Sequence, residues 1–179
     1  MTTLYVQENG GFKEASARDV LLHAQELIDE QFRSRICVLD NMESLRLFFK
    51  VRLGANEHEV FAVVFLDAHR RAIEYVELFR GTIDTAEVYP REVVKEALKR
   101  NAAAVVFAHN HPSGVSVPSE ADELISIRLR TALGLVGVRV IDHFVVGESV
   151  TSMAELGILP SPCRPTLPES SRPDICIQR

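Results

Sequence analysis

The sequence predicts a mixed α/β (α+β) domain, with helices flanking a mixed sheet and a short helical extension before it. Two apolar, β-branched runs at 59–66 and 102–108 have the length and composition of buried strands. Amphipathic helical patterns precede both runs, and another follows the second run. Of the 179 residues, 46% are hydrophobic and 25% are charged, which is the composition of a globular protein with a substantial core.

Residues 1–54 are predicted to form an N-terminal helical extension. A polar lead-in, 1–14, is followed by Ser16 and Asp19, which have the spacing of a capping box and open a helix. The apolar residues after this box recur at helical spacing: Val20, Leu21, Ala24, Leu27 and Ile28. A second helix is predicted over 40–53, ending at a glycine.

The central part of the chain alternates between strand and helix patterns. The strand at 59–66 is followed by a turn and by a returning strand at 72–79, which predicts a hairpin. Pro90 fits the first position of a helix that continues over 91–100. The second buried strand, 102–108, then leads directly to His109.

The last regular elements are a long helix and a strand. The helix is predicted to begin at Ser119, because a long apolar stripe at helical spacing follows this residue. The strand lies within 137–147. The main domain is therefore predicted to span 55–158, and the proline-rich segment 159–179 is expected to be a disordered tail.

Composition excludes several classes of protein. The formal net charge of −5 does not favour direct binding to DNA or to an anionic membrane. We find neither the basic and apolar start of a secretory signal nor an apolar run of the roughly 18 residues that span a bilayer. Three cysteines without C-x-x-C spacing fit a reducing compartment. The sequence predicts a cytoplasmic protein with no membrane association.

A cluster of polar residues follows the second buried strand. His109 and His111 share one face if the strand persists to residue 111, because side chains alternate along a strand. Ser119 and Asp122 share one face at the start of the next helix. The strand end and the helix start can meet at one point, with two imidazoles and one carboxylate. Three such ligands with a fourth position open are typical of a catalytic zinc site.

Each part of this cluster also has a simpler explanation. Ser119 and Asp122 have the spacing of a capping box, and His109 alone fits a hydrogen-bonded core histidine. Capping does not explain His111, however, and a core histidine does not explain why both histidines precede a Ser/Asp pair. Together the residues favour a metal site.

At these residues the sequence resembles a known family. The pattern H-x-H, seven residues, S, two residues, D is the JAMM signature of the JAB/MPN metalloprotease superfamily. The longer segments E-V-F-A-V-V-F-L-D, A-A-A-V-V-F-A-H-N-H-P-S-G and D-H-F-V-V-G are similar to the RadC branch, and to its short members from mobile elements and prophages. The resemblance covers about 55–158 and implies a JAB/MPN, cytidine deaminase-like fold.

The resemblance also implies roles for individual residues. His109, His111 and Asp122 match the zinc ligands of the family. Ser119 matches the serine that stabilises the oxyanion formed when water attacks a carbonyl. His143, in the D-H pair of the quoted segment, is not expected to be a fourth ligand, since that position is needed for water; we expect it behind the ligands.

The general base of JAMM proteins is a glutamate at the start of the first core strand. Glu59 matches this position, because it comes immediately before the apolar run. Glu77 is the second candidate, since it lies on the predicted partner strand of the hairpin.

The resemblance implies a zinc-dependent JAMM-type hydrolase that cleaves amide or isopeptide bonds in a peptide or isopeptide substrate. The alternative is a non-enzymatic, DNA-repair-associated or protein-binding module, as the historical label of the RadC family suggests. Full-length RadC proteins carry an N-terminal helix-hairpin-helix module, and 1–54 lacks a convincing hairpin of that kind, so direct DNA binding is not favoured. The sequence predicts neither the substrate nor the oligomeric state.

Overall fold

The structure is a computed structural model, and it describes residues 3–8, 10–33, 42–81 and 88–159. Its elements, in chain order, are β1 (Tyr5–Glu8), β2 (Gly11–Glu14), α1 (Ala17–Arg33), α2 (Met42–Leu53), β3 (Val60–Leu66), β4 (Ala72–Arg80), α3 (Pro90–Lys99), β5 (Ala104–Asn110), α4 (Glu120–Gly134), β6 (Arg139–Val146) and β7 (Val150–Ser152).

Five strands form one mixed sheet in the order β4-β3-β5-β6-β7. β3 pairs antiparallel with both β4 and β5, and β6 pairs antiparallel with β7. β5 and β6 are parallel, and α4 forms the crossover between them. The predicted α/β class with a mixed sheet flanked by helices is confirmed.

The two faces of the sheet carry separate apolar cores. Helices α3 and α4 cover one face, where Val93, Ala97, Leu129 and Leu133 pack against Phe61 and other strand residues. Helix α2 covers the opposite face. Because β3 and β5 are buried on both faces, β3 and the part of β5 before His109 are continuously apolar rather than alternating.

Helix α2 is part of the core of the sheet, although it lies in the segment that we predicted to be an N-terminal extension. Leu45, Phe49 and Leu53 are fully buried. The ring of Phe49 lies 5.5 Å from that of Phe144 on β6. The division of the chain at residue 54 remains a prediction about domain organisation.

Two small features of the fold were not predicted. Residues 1–14, which we expected to be a polar lead-in, contain the hairpin β1–β2, whose turn includes Gly10 at φ +81°. The three-residue strand β7 completes the sheet beside β6. The proline-rich tail lies outside the described residues, apart from the buried Leu159. Within the described part of the chain, no helix is both long and apolar enough to span a membrane.

Candidate metal centre

The candidate site lies at the carboxyl end of β5, on the sheet face that α3 and α4 cover. Strand β5 continues through His109 to Asn110, two residues further than predicted. In the antiparallel β3–β5 pair, His109 lies opposite Phe61. Continuing this register brings Glu59 opposite His111, so that both residues lie beside His109 on one face.

The structure brings His109, His111 and Asp122 together. The two Nε2 atoms of the imidazoles lie 3.0 Å apart. Asp122 Oδ1 lies 3.1 Å from His109 Nε2, and Asp122 Oδ2 lies 3.4 Å from His111 Nε2. Ligand atoms about 2.0–2.2 Å from a tetrahedral zinc ion are separated by roughly 3.3 Å. The spacing of these side chains therefore fits one small cation.

Asp122 is aimed at the imidazoles by the first turn of α4. Ser119 caps this helix: its Oγ donates to Asp122 Oδ2 at 2.6 Å and accepts from the Asp122 N–H at 3.2 Å. The Ser119 N–H also donates to Oδ2, which completes the capping box. Burial raises the pKa of Asp122, but the contacts with His109 and His111 outweigh burial and hold that pKa well below its usual range.

The loop after β5 orients His111. Its Nδ1–H donates to the carbonyl oxygen of Val115 at 2.8 Å, since a carbonyl can only accept. Contact with Asp122 raises the pKa of His111, in spite of burial. Its Nε2 is therefore the nitrogen that faces Asp122 and His109.

His109 is oriented by a buried residue behind it. Its Nδ1 lies 2.8 Å from Nε2 of His143. Nδ1 of His143 lies 2.5 Å from Oγ of Ser126, and both residues are fully buried. Burial, followed by repulsion from His109, lowers the pKa of His143 well below its usual value, so its ring is neutral. His143 therefore lies on the Nδ1 side of His109, and His111 lies on its Nε2 side.

Glu59 also lies close to the imidazole pair. Its Oε1 is 3.9 Å from His111 Nε2, and its side chain is 20% exposed. Together, Glu59, His109 and His111 form a second set whose ligand atoms lie within 4.8 Å of one another. By distance alone either carboxylate completes a three-ligand site. We favour Asp122 as the ligand because it contacts both imidazoles at 3.1–3.4 Å.

The second candidate base, Glu77, is not part of the site. It pairs with Ala62 on the sheet face that α2 covers. Its carboxylate accepts hydrogen bonds from Arg80 at 2.9 Å and from Tyr75 at 3.2 Å. The pairing that we used to propose Glu77 was correct, but alternation along β4 turns its side chain away from the imidazoles.

Two residues near the site were not predicted from the sequence. Ser126 lies one helical turn after Asp122, and its polar side chain on a buried stripe was a signal that we did not use. The other is Asn110, whose side chain is buried on the opposite face of β5 and bonds the backbone of His58 and Val60 where β3 begins.

Comparison with known proteins gives consistent matches. The family model described as RadC-like JAB domain matches residues 39–158. A UPF0758 protein of Leptothrix cholodnii is 52% identical over 151 residues, which are 84% of this chain and 68% of that protein. A UPF0758 protein of Vibrio cholerae is 53% identical over 140 residues, 78% of this chain and 88% of the relative. The matched residues contain all the side chains of the candidate metal centre.

Proposed function

This chain belongs to the RadC-like JAB domain family, and from this membership and the geometry of its site we propose that it is a zinc-dependent hydrolase of amide bonds. The observation that carries the proposal is the convergence of two imidazoles and a carboxylate within 3.4 Å of one another. We propose a peptide or an isopeptide as the substrate.

The residues that would hold the ion are His109, His111 and Asp122. With Nδ1 of His111 donating to Val115, its Nε2 is the nitrogen left to bind a metal. Nitrogen and carboxylate donors in this number suit zinc, with a fourth position for water or substrate. Zinc bound there supplies a Lewis acid that polarises a carbonyl and brings the pKa of water close to neutrality.

We propose Glu59 as the general base. It lies within 3.9 Å of the imidazole pair, on the strand that adjoins the ligand strand, and is partly open to solvent. Its carboxylate takes a proton from the attacking water and later gives a proton to the leaving amine. This role requires Glu59 to stay outside the ligand set.

We propose Ser119 as the donor to the oxyanion. Its hydroxyl hydrogen bonds to Asp122 Oδ2 in the metal-free protein. When Asp122 binds a cation, this oxygen becomes a weaker acceptor, and the hydroxyl is then available to the substrate oxygen.

The first test is zinc content. We expect about one zinc ion per chain in the purified wild-type protein and none in His111→Ala, measured by atomic emission. If His111→Ala retains zinc, the ligand assignment is wrong.

The second test separates the base from the ligands. Glu59→Gln is expected to retain zinc and to lose at least about 100-fold in the rate of cleavage of peptide and isopeptide libraries. Glu57→Gln is the matched control, because Glu57 is exposed two residues away. Loss of zinc from Glu59→Gln would make Glu59 a ligand, and unchanged cleavage would exclude it as the base.

A further inference from the structure

We propose that Ser126 and His143 are positioning residues that hold His109 in its metal-binding tautomer. They do so through a hydrogen-bond chain of fixed direction that ends at the backbone carbonyl of Asp122. The inference deepens the proposed function, because it assumes that the same three residues form the metal site.

The direction of the chain follows from its last contact. Ser126 Oγ lies 2.5 Å from the carbonyl oxygen of Asp122, which can only accept, so the hydroxyl donates to it. The same Oγ lies 2.5 Å from Nδ1 of His143 and must therefore accept the Nδ1–H of that ring.

The direction then passes through the imidazole of His143 to the ligand. Full burial against the rings of Phe61 and Phe107 favours a His143 ring with a single proton, and with that proton on Nδ1 its Nε2 is bare. This Nε2 lies 2.8 Å from Nδ1 of His109 and accepts its N–H. A proton of His109 is thus held on Nδ1, and its Nε2, which lies 3.0 Å from His111 Nε2 and 3.1 Å from Asp122 Oδ1, is the nitrogen left to bind a metal.

The surroundings offer no competing water. His143 and Ser126 are fully buried, and His109 is 3% exposed. The rings of Phe61 and Phe107 contact His143 edge-on, with centroids 5.4 and 5.8 Å away. In this apolar setting a broken hydrogen bond cannot be replaced by solvent, so the chain keeps one orientation.

The hydrogen-bond chain also connects two proposed metal ligands that lie on different secondary-structure elements. It begins at His109 on β5 and ends at the backbone of Asp122 on α4. A metal ion between the side chains of His109 and Asp122 would close a cycle of contacts, because the hydrogen-bond chain already joins these two residues on the other side. The separation of the ligands would then be maintained by internal hydrogen bonds as well as by the ion.

Zinc affinity tests the inference without any substrate. We would measure it by competition with a chromophoric chelator. Loss of such an outer partner typically weakens metal binding by about 10–100-fold, and we expect this range for His143→Leu and Ser126→Ala. His143→Gln should recover most of the affinity, because an amide can accept from His109 and donate to Ser126.

Ser152→Ala is the matched control. Ser152 is 1% exposed and donates to Asp142 at 2.6 Å, so its loss also removes a buried hydrogen bond; its hydroxyl bonds Asp142 and the Glu155 N–H, not the side chains of His109, His143 or Ser126. We expect its zinc affinity to equal that of the wild type. Equal affinities for Ser126→Ala and Ser152→Ala would overturn the inference, whether or not His143→Leu folds.

A spectroscopic measurement is independent of zinc. In the ¹⁵N NMR spectrum of metal-free protein, the nitrogen shifts of His109 should report a proton on Nδ1, and Ser126→Ala should give a mixture of tautomers. An Nδ1 of His109 without a proton in the wild type would exclude the hydrogen-bond chain. If the wild type bound no zinc, the proposed function would fail, and this measurement would still decide the inference.

Discussion

Asn110 lies between His109 and His111 in the sequence, but its side chain lies on the opposite face of β5. Its Oδ1 accepts the N–H of Val60 at 2.9 Å, and its Nδ2 donates to the carbonyl of His58 at 3.0 Å. These two backbone groups flank Glu59. One buried amide therefore fixes the backbone on both sides of the candidate base, where the ladder between β3 and β5 ends.

Replacing Asn110 should destabilise the protein. Asn110→Ala leaves the Val60 N–H and the His58 carbonyl without their partner, and we expect the free energy of unfolding to fall by about 1–3 kcal/mol in urea titrations. His58→Ala is the control, since it keeps the carbonyl that Asn110 binds. An unchanged urea midpoint for Asn110→Ala would show that these hydrogen bonds do not stabilise the fold.

For individual residues, the sequence predicts a site best when its residues are close to one another in the sequence. His109, His111 and Asp122 were selected because a strand and a helix start lie within fourteen positions of one another. The partners of Asn110 and Ser126 lie 50 and 17 residues away in the chain, and no local pattern encodes such pairings. The roles of the selected residues remain predictions.

The loop after β5 is held by a turn between two other strands. The Glu148 N–H donates to the Gly114 carbonyl at 2.7 Å, and the His111 N–H donates to the Val146 carbonyl at 2.9 Å. A Cβ atom on Gly147 would lie 2.2 Å from the Gly114 oxygen and 2.8 Å from the Ser116 nitrogen. Only a glycine permits the turn to approach the loop this closely.

Gly147→Ala should therefore displace the loop that orients His111. The atoms in the way belong to the backbone, and we expect a destabilisation of about 1–3 kcal/mol, together with weaker zinc binding. Gly134→Ala is the matched control: nothing lies within 4 Å of its Cβ, and alanine in a helix should stabilise by about 0.5–1 kcal/mol. Thermal unfolding of both variants measures the contrast, and equal Tm values would contradict it.

Helices and strands were predictable when their burial produced a hydrophobic pattern of several residues in the sequence. β3 is apolar along its whole length and β5 is apolar up to His109, and α3 and α4 begin within one residue of the predicted positions. β7 has three residues, too few for a period to be recognised. The hairpin at the N-terminus has exposed residues on β2, so no hydrophobic alternation indicated it.

On the scale of the whole molecule, the candidate site is assembled from segments that meet only after folding. Glu59 immediately precedes β3, His109 lies near the end of β5, His111 follows that strand, and Asp122 lies in the first turn of α4. In the unfolded chain only the H-x-H pair remains local. A cation that binds His109, His111 and Asp122 therefore favours the folded state strongly over the unfolded one.

Zinc should consequently raise the thermal stability. At a free concentration 100 times the Kd, binding adds about 2.7 kcal/mol, which corresponds to an increase in Tm of roughly 5–11 °C for a chain of this size. Asp122→Ala should abolish the increase. Asp19→Ala removes an equivalent capping carboxylate on α1 and should leave the increase unchanged. Calorimetry with and without zinc measures it, and an equal increase in both variants would exclude Asp122 as a ligand.

The antiparallel pairing of β3 with β5 has a consequence for how relatives of this protein can diverge. The register is continuous from Phe61 opposite His109 to Leu66 opposite Ala104. A single-residue insertion between Glu59 and Val60 would turn the glutamate to the opposite face, while His109, His111 and Asp122 kept their places. One codon gained at this point would thus remove the proposed base from the candidate metal centre without replacing any polar residue. Length differences immediately before β3 are therefore the positions at which to look for family members that lack this carboxylate.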